Sequence, residues 1–175
     1  MPSHLLHFAA DKKPVVVWNV TRRCNLHCIH CYSSSRDHDY PDELTRDEGR
    51  ALLDDLATYG VPTVLFSGGE PLMRGDLFEL AAHARDNGLR CVLSTNGTRL
   101  DRDTAQRVVA AGFSYVGISF DGIGSVHDGV RGKPGAYEAS LSGLHLLRDL
   151  GMRVGLRFTV HRRNVDSTMA STAHL

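Results

Sequence analysis

Val15-Val-Val-Trp-Asn-Val-Thr-Arg-Arg-Cys-Asn-Leu-His-Cys-Ile-His-Cys-Tyr32 begins as a β-branched run and ends in three cysteines within eight positions. The first part reads as a buried strand, Val15–Val20, and the rest as the loop that leaves it. One unit then recurs down the chain: an amphipathic helix, a glycine, and a short β-rich run. Thr45-Arg-Asp-Glu48 is a capping box, with Leu52, Leu53, Leu56 and Tyr59 following at helical spacing. Gly60 stops that helix, and Pro62–Phe66 reads as the second strand. Asp76–Asn87 with Gly88 leads to Arg90–Ser94, and Asp101–Ala111 with Gly112 leads to Ser114–Phe120. The last copy is Ala136–Leu150, Gly151 and Met152–Val160. Alternating units with short connections predict an α/β fold: about five parallel strands, helices outside, as a partial (β/α) TIM-like barrel. The strands show little polar alternation, which predicts cover on both faces of the sheet. After Asn164 no sixth unit is legible. The expected organisation is a loosely ordered extension at 1–13, an incomplete barrel core at 14–164, and a flexible tail at 165–175.

The 175 residues are 42% hydrophobic and 23% charged, with 20 basic and 20 acidic side chains, as in an ordinary soluble globular domain. The balanced charge argues against a strongly basic nucleic-acid binder. The strongly apolar runs, such as Val64–Phe66, are too short to span a membrane, and the N-terminus lacks the basic flank and apolar segment of a signal peptide. A cytoplasmic protein is expected. Three clustered thiols in such a compartment point to a metal rather than to disulfides. Cys91, alone in an apolar stretch, reads as a core residue.

The polar and glycine-rich clusters all follow strands: Cys24–Cys31, Ser67-Gly-Gly-Glu-Pro71, Ser94-Thr-Asn-Gly97 and Ser119-Phe-Asp-Gly122. In a parallel sheet these ends share one edge, where sites of such folds are built. Any one of them alone is a turn; their joint placement beside the thiols is what points to a site. Arg22 and Arg23 are placed to favour thiol deprotonation. Three cysteines suit a four-iron cube with one iron left open to a small molecule. A zinc site completed by His27, His30 or His38 is the other reading of the same spacing.

Cys24-x-x-x-Cys28-x-x-Cys31 after the first strand and Gly68-Gly69-Glu70-Pro71 after the second resemble the radical S-adenosylmethionine (SAM) superfamily, over roughly residues 14–164. The resemblance implies a [4Fe–4S] cluster on Cys24, Cys28 and Cys31, with SAM chelating the open iron. It further implies reductive cleavage of SAM to a 5′-deoxyadenosyl radical that abstracts hydrogen from substrate. By the family pattern Gly68 and Gly69 bring backbone carbonyls to the methionine ammonium, and Glu70 is a further acceptor or a helix cap. Ser119 reaches the ribose hydroxyls and Arg131 the SAM carboxylate, unless Arg131 is a solvated loop residue. Thr95 and Asn96 are secondary cofactor contacts, and His30 stands where an aromatic lies near the adenine. His127 and Asp128 orient the loop of Arg131 or cap it.

The opening segment, His127-Asp128 and the run Gly151–Val160 are similar to the radical SAM enzymes of haem d1 and alternative haem biosynthesis. That implies a small-molecule iron tetrapyrrole as substrate and a low-potential donor such as flavodoxin or ferredoxin. Pyrroloquinoline quinone (PQQ) biosynthesis and peptide-modifying enzymes share much of the pattern. Arg157, His161, Arg162 and Arg163 could serve tetrapyrrole carboxylates or form a solvated basic loop, and Arg157 could instead pair with an internal carboxylate. Such relatives carry a sixth strand and a cysteine-rich C-terminal extension, so a partner completing the barrel and an inactive fragment are both open. The fifth strand is expected to leave an unpaired edge.

Overall fold

The computed structural model describes residues 13–165. All but Lys13 and Val165 of the two expected extensions lie outside the described residues. Five strands form one parallel sheet in sequential order: β1 (Val16–Thr21), β2 (Thr63–Gly68), β3 (Arg90–Thr95), β4 (Tyr115–Ser119) and β5 (Val154–Arg157). Between them run α1 (Arg46–Tyr59), α2 (Leu77–Asp86), α3 (Arg102–Ala110), α4 (Ser125–Arg131) and α5 (Ala136–Asp149), with a single 3-10 turn at Pro71–Met73. The open parallel sheet with outer helices is the expected partial barrel.

Local chemistry sets the element ends. The Glu48 amide donates to Thr45 Oγ1 and the Thr45 amide to Glu48 Oε2, closing the capping box that starts α1. Gly60 ends the helix in the left-handed region, at φ 85°. Tyr59, expected on the apolar face, is instead exposed, with the Lys13 ammonium 3.9 Å from its ring centre.

The register aligns Trp18, Phe66, Leu93, Val116 and Val154 across all five strands, on the face that packs against the helices. Phe66 is fully buried between Trp18 and Phe113, at ring separations of 5.8 and 5.6 Å. Cys91 lies in this core, as expected, and burial pushes its thiol up to about 11. The opposite face carries Val17, Leu65, Val92 and Tyr115 in register, and Val17 is 58% exposed. Cover on both faces is therefore corrected: among the described residues only the helix-facing side is closed, because five strands do not curl far enough to bury the other. Two element readings also change. β5 spans four residues rather than Met152–Val160, and α4 has no counterpart in the sequence reading.

Candidate metal and cofactor site

The cysteine loop is held between two neighbours that both contact it through backbone. On one side, the Gly69 amide donates to Thr21 O (2.7 Å) and the Glu70 amide to Arg23 O (2.8 Å). A Cβ on Gly68 would stand 2.2 Å from Thr21 O, and one on Gly69 2.4 Å from Arg23 O. The glycine pair is thus required by the chain's own backbone, which passes at contact distance on its way to Cys24. On the other side is α4. The His27 and Ile29 amides donate to the carbonyls of Arg131 and Val130, at 3.1 and 2.9 Å, taking up the free C-terminal carbonyls of that helix.

Cys24, Cys28 and Cys31 all line one cavity of about 340 Å³, the size of a small-molecule site. It also takes in His30, Ser67–Gly69, Ser94–Asn96, Ser119 and Arg131. The three thiols sit in different fields. Burial pushes Cys24 up to about 11 and raises Cys28, with the Arg131 guanidinium, 3.7 Å from Cys28 Sγ, acting against it. For Cys31 burial is outweighed by hydrogen bonds from Ser33 and Ser35, and its thiol is held below the ordinary value. Arg22 and Arg23 do not serve the thiols as expected: Arg23 pairs with Asp37 and Asp39, and Arg22 lies over the Tyr40 ring. Among the described residues the cation that meets a thiol of this loop is Arg131.

Glu70 does not line the cavity. Fully buried, its carboxylate accepts from Thr95 Oγ1 (2.7 Å) and from the amides of Asn96 (2.7 Å) and Leu72 (3.0 Å), tying the β2 loop to the end of β3 and capping the 3-10 turn. Asn96 continues that network by donating to Asn25 Oδ1, 3.0 Å away in the cysteine loop. Thr95 and Asn96 therefore border the cavity while bracing its wall.

Asp121, fully buried, organises the other wall. Its Oδ2 accepts from His30 Nε2 (2.7 Å) and Arg131 Nη2 (2.9 Å), and its Oδ1 from the Thr159 amide (3.1 Å). Its own amide donates to His127 Nδ1, in a ring buried against Phe120 and Tyr137. His127 is held down to about 4, by burial first and by Arg131 second. Arg131 is buried rather than solvated, and its Nε has no hydrogen-bond partner among the described residues. Asp128 accepts from the Gly135 and Tyr137 amides, fixing the turn into α5. The sequence places Asp121 in the Ser119–Gly122 cluster without giving it a role, and it gives none to Ser33 and Ser35, whose available signal is the serine run that follows Cys31-Tyr32.

Among the described residues no three His, Cys, Asp or Glu side chains converge closely enough to hold a single metal ion. The zinc reading needs that convergence, with metal–sulfur bonds of about 2.3 Å. Its histidines are placed otherwise: His30 on Asp121, His38 against Asp39 O and the Tyr40 ring, His27 exposed. Thiols spread around one cavity fit a larger group that takes each thiolate on a different metal atom.

A five-stranded parallel partial barrel with three cysteines in the loop after its first strand defines a class, and the radical SAM superfamily pattern matches residues 18–175. The chain belongs to that superfamily. Within it, the chain is 57% identical to Fe-coproporphyrin III synthase of Methanosarcina barkeri over 165 residues, covering 94% of this chain and 41% of that protein. It is 52% identical to pre-heme d1 synthase of Dinoroseobacter shibae, covering 87% and 38%. PqqA peptide cyclase of Bradyrhizobium diazoefficiens is 36% identical, covering 86% and 40%. The native anSMEcpe structure with bound AdoMet shares the fold, at TM-score 0.75 and 20% identity over 91% of this chain and 48% of that one. The chain thus spans about 40% of the length of the curated relatives it matches. No helix among the described residues is long and apolar enough to cross a membrane.

Proposed function

We propose that the chain is a radical SAM enzyme core that holds a [4Fe–4S] cluster on Cys24, Cys28 and Cys31 and binds S-adenosylmethionine beside it. It acts on a side chain of a tetrapyrrole in haem d1 or haem biosynthesis. The observation that carries the first part is that three thiols, the Ser67–Gly69 turn and Ser119 all line one cavity. When bound, the cluster supplies the electron for reductive cleavage of SAM. The protein's residues bind, orient and exclude water. Arg131, charge-paired with Asp121 and with Nε unpartnered, offers a preoriented donor to the SAM carboxylate. The Ser119 hydroxyl serves the ribose, and the His30 ring, fixed by Asp121, borders the adenine.

The two relatives more than half identical are named for coproporphyrin and haem d1, which supports the tetrapyrrole over the PQQ reading, whose relative is 36% identical. The setting is cytoplasmic, with a small-molecule substrate and a flavodoxin- or ferredoxin-type donor. The test is anaerobic reconstitution with iron and sulfide, reduction, and quantification of 5′-deoxyadenosine formed from SAM. Product that disappears in Cys28→Ala supports the reading. Full iron uptake without product contradicts activity in this chain and favours a fragment that binds but does not turn over.

A further inference from the structure

Arg157 has an unusual position. Strand register pairs it with Ser119, on the open face of the sheet, away from the helices. Its side chain does not leave that face but lies across β4 toward β3, donating from Nη1 to Ser94 Oγ at 3.0 Å. The path exists because residue 117 is glycine: a Cβ there would stand 2.3 Å from Arg157 Nε. Ser94, which receives the guanidinium, and Ser119, the register partner of Arg157, both line the cavity of the three cysteines. The side chain is half-buried, so its charge is partly withdrawn from water.

The electrostatics are incomplete. Arg131 and Arg74, also withdrawn from solvent, each pair with a carboxylate, at 2.9 Å to Asp121 and 2.7 Å to Asp76. Among the described residues Arg157 pairs with none, and a serine hydroxyl takes one of its five donor hydrogens. The alternative of an internal carboxylate partner is therefore removed among those residues. Arg162 and Arg163, the other cations expected near this end, are exposed.

We infer that Arg157, seated on Gly117 and oriented by Ser94, is an anchor for a carboxylate of the substrate inside the partial barrel, separate from the cofactor carboxylate at Arg131. A planar guanidinium fork suits that group. The identity of the ligand as a polycarboxylate tetrapyrrole rests on the proposed function. Substrate and SAM both carry carboxylates, and the experiment separates them.

The probes are coproporphyrin III, its tetramethyl ester, and SAM, titrated against the cluster-reconstituted full chain. Porphyrin binding is read by absorbance and SAM binding by calorimetry. Arg157→Met is expected to weaken coproporphyrin III about tenfold, one good charge-assisted pair. Arg157→Lys weakens it less. Gly117→Ala, which keeps the charge but displaces the guanidinium, weakens it too, so the test survives if Arg157→Met does not fold. The ester binds weakly and is indifferent to all three, and SAM affinity is unchanged. Equal coproporphyrin affinity in wild type and both Arg157→Met and Gly117→Ala overturns the anchor and leaves the tetrapyrrole reading standing. Weakened SAM binding with unchanged porphyrin binding assigns the guanidinium to the cofactor and overturns the anchor. No porphyrin binding by wild type overturns both.

Discussion

His127 and Asp121 show how much of the site's order depends on groups outside the cysteine motif. His127 is fully buried, accepts from the Asp121 amide, and titrates at about 4 in the fold. An unfolded histidine titrates near 6.5. Below that value the unfolded chain takes up a proton that the folded chain refuses, so stability falls as pH drops from about 6.5 to 4 and then levels. The loss from this one side chain is roughly 3 kcal/mol. Urea melts at pH 7 and pH 4.5 should show this component in wild type and lack it in His127→Asn, which keeps an acceptor at the Nδ1 position. Parallel losses in both proteins would remove His127 as the source. The pair His127-Asp128 was legible in sequence as belonging to the Arg131 loop. That His127 receives an amide from Asp121 was not, because the contact is set by the fold of the loop after β4.

Among the elements, α4 holds one side of the cysteine loop, and the sequence pattern does not show this helix. Ser125-Val-His-Asp-Gly-Val-Arg131 has only Val126 and Val130 at helical spacing and an internal glycine, too little for pattern or propensity to mark a helix. Tertiary partners hold it instead: its last carbonyls take the loop amides of His27 and Ile29. Gly132 ends it at φ 67°, and a Cβ there would lie 2.5 Å from His27 O. Gly132→Ala is therefore expected to cost about 1–2 kcal/mol in backbone strain and to lower iron uptake by pushing the loop away. Gly75→Ala, with open space around it and no left-handed φ, is the silent control. Equal iron content in the two variants would show that α4 does not position the thiols. The strands, by contrast, were readable because β-branched and aromatic runs ended in glycine-rich turns. The expected run Met152–Val160 exceeds β5 at both ends, because Met152-Arg153 and Phe158–Val160 continue its composition beyond the strand.

The described residues form a sheet closed by helices on one side and open on the other. Its stability is concentrated in the helix-facing layer, where Phe66 meets Trp18 and Phe113. Phe66→Ala should cost about 3–5 kcal/mol in urea denaturation. A loss below 1 kcal/mol would mean that this layer is not the cooperative core. The open face holds the cavity and Arg157, which is why polar residues occupy the carboxyl ends of strands otherwise read as apolar throughout. On the proposed function, the three thiols that line this cavity hold a multi-iron cluster with a site for SAM. Its most direct test is iron and sulfide analysis of the anaerobically reconstituted chain, with electron paramagnetic resonance of the reduced protein before and after adding SAM. About four irons per chain, and a spectrum that changes with SAM in wild type but is absent in Cys28→Ala, are the predicted result. One tightly held zinc and no iron uptake would contradict it.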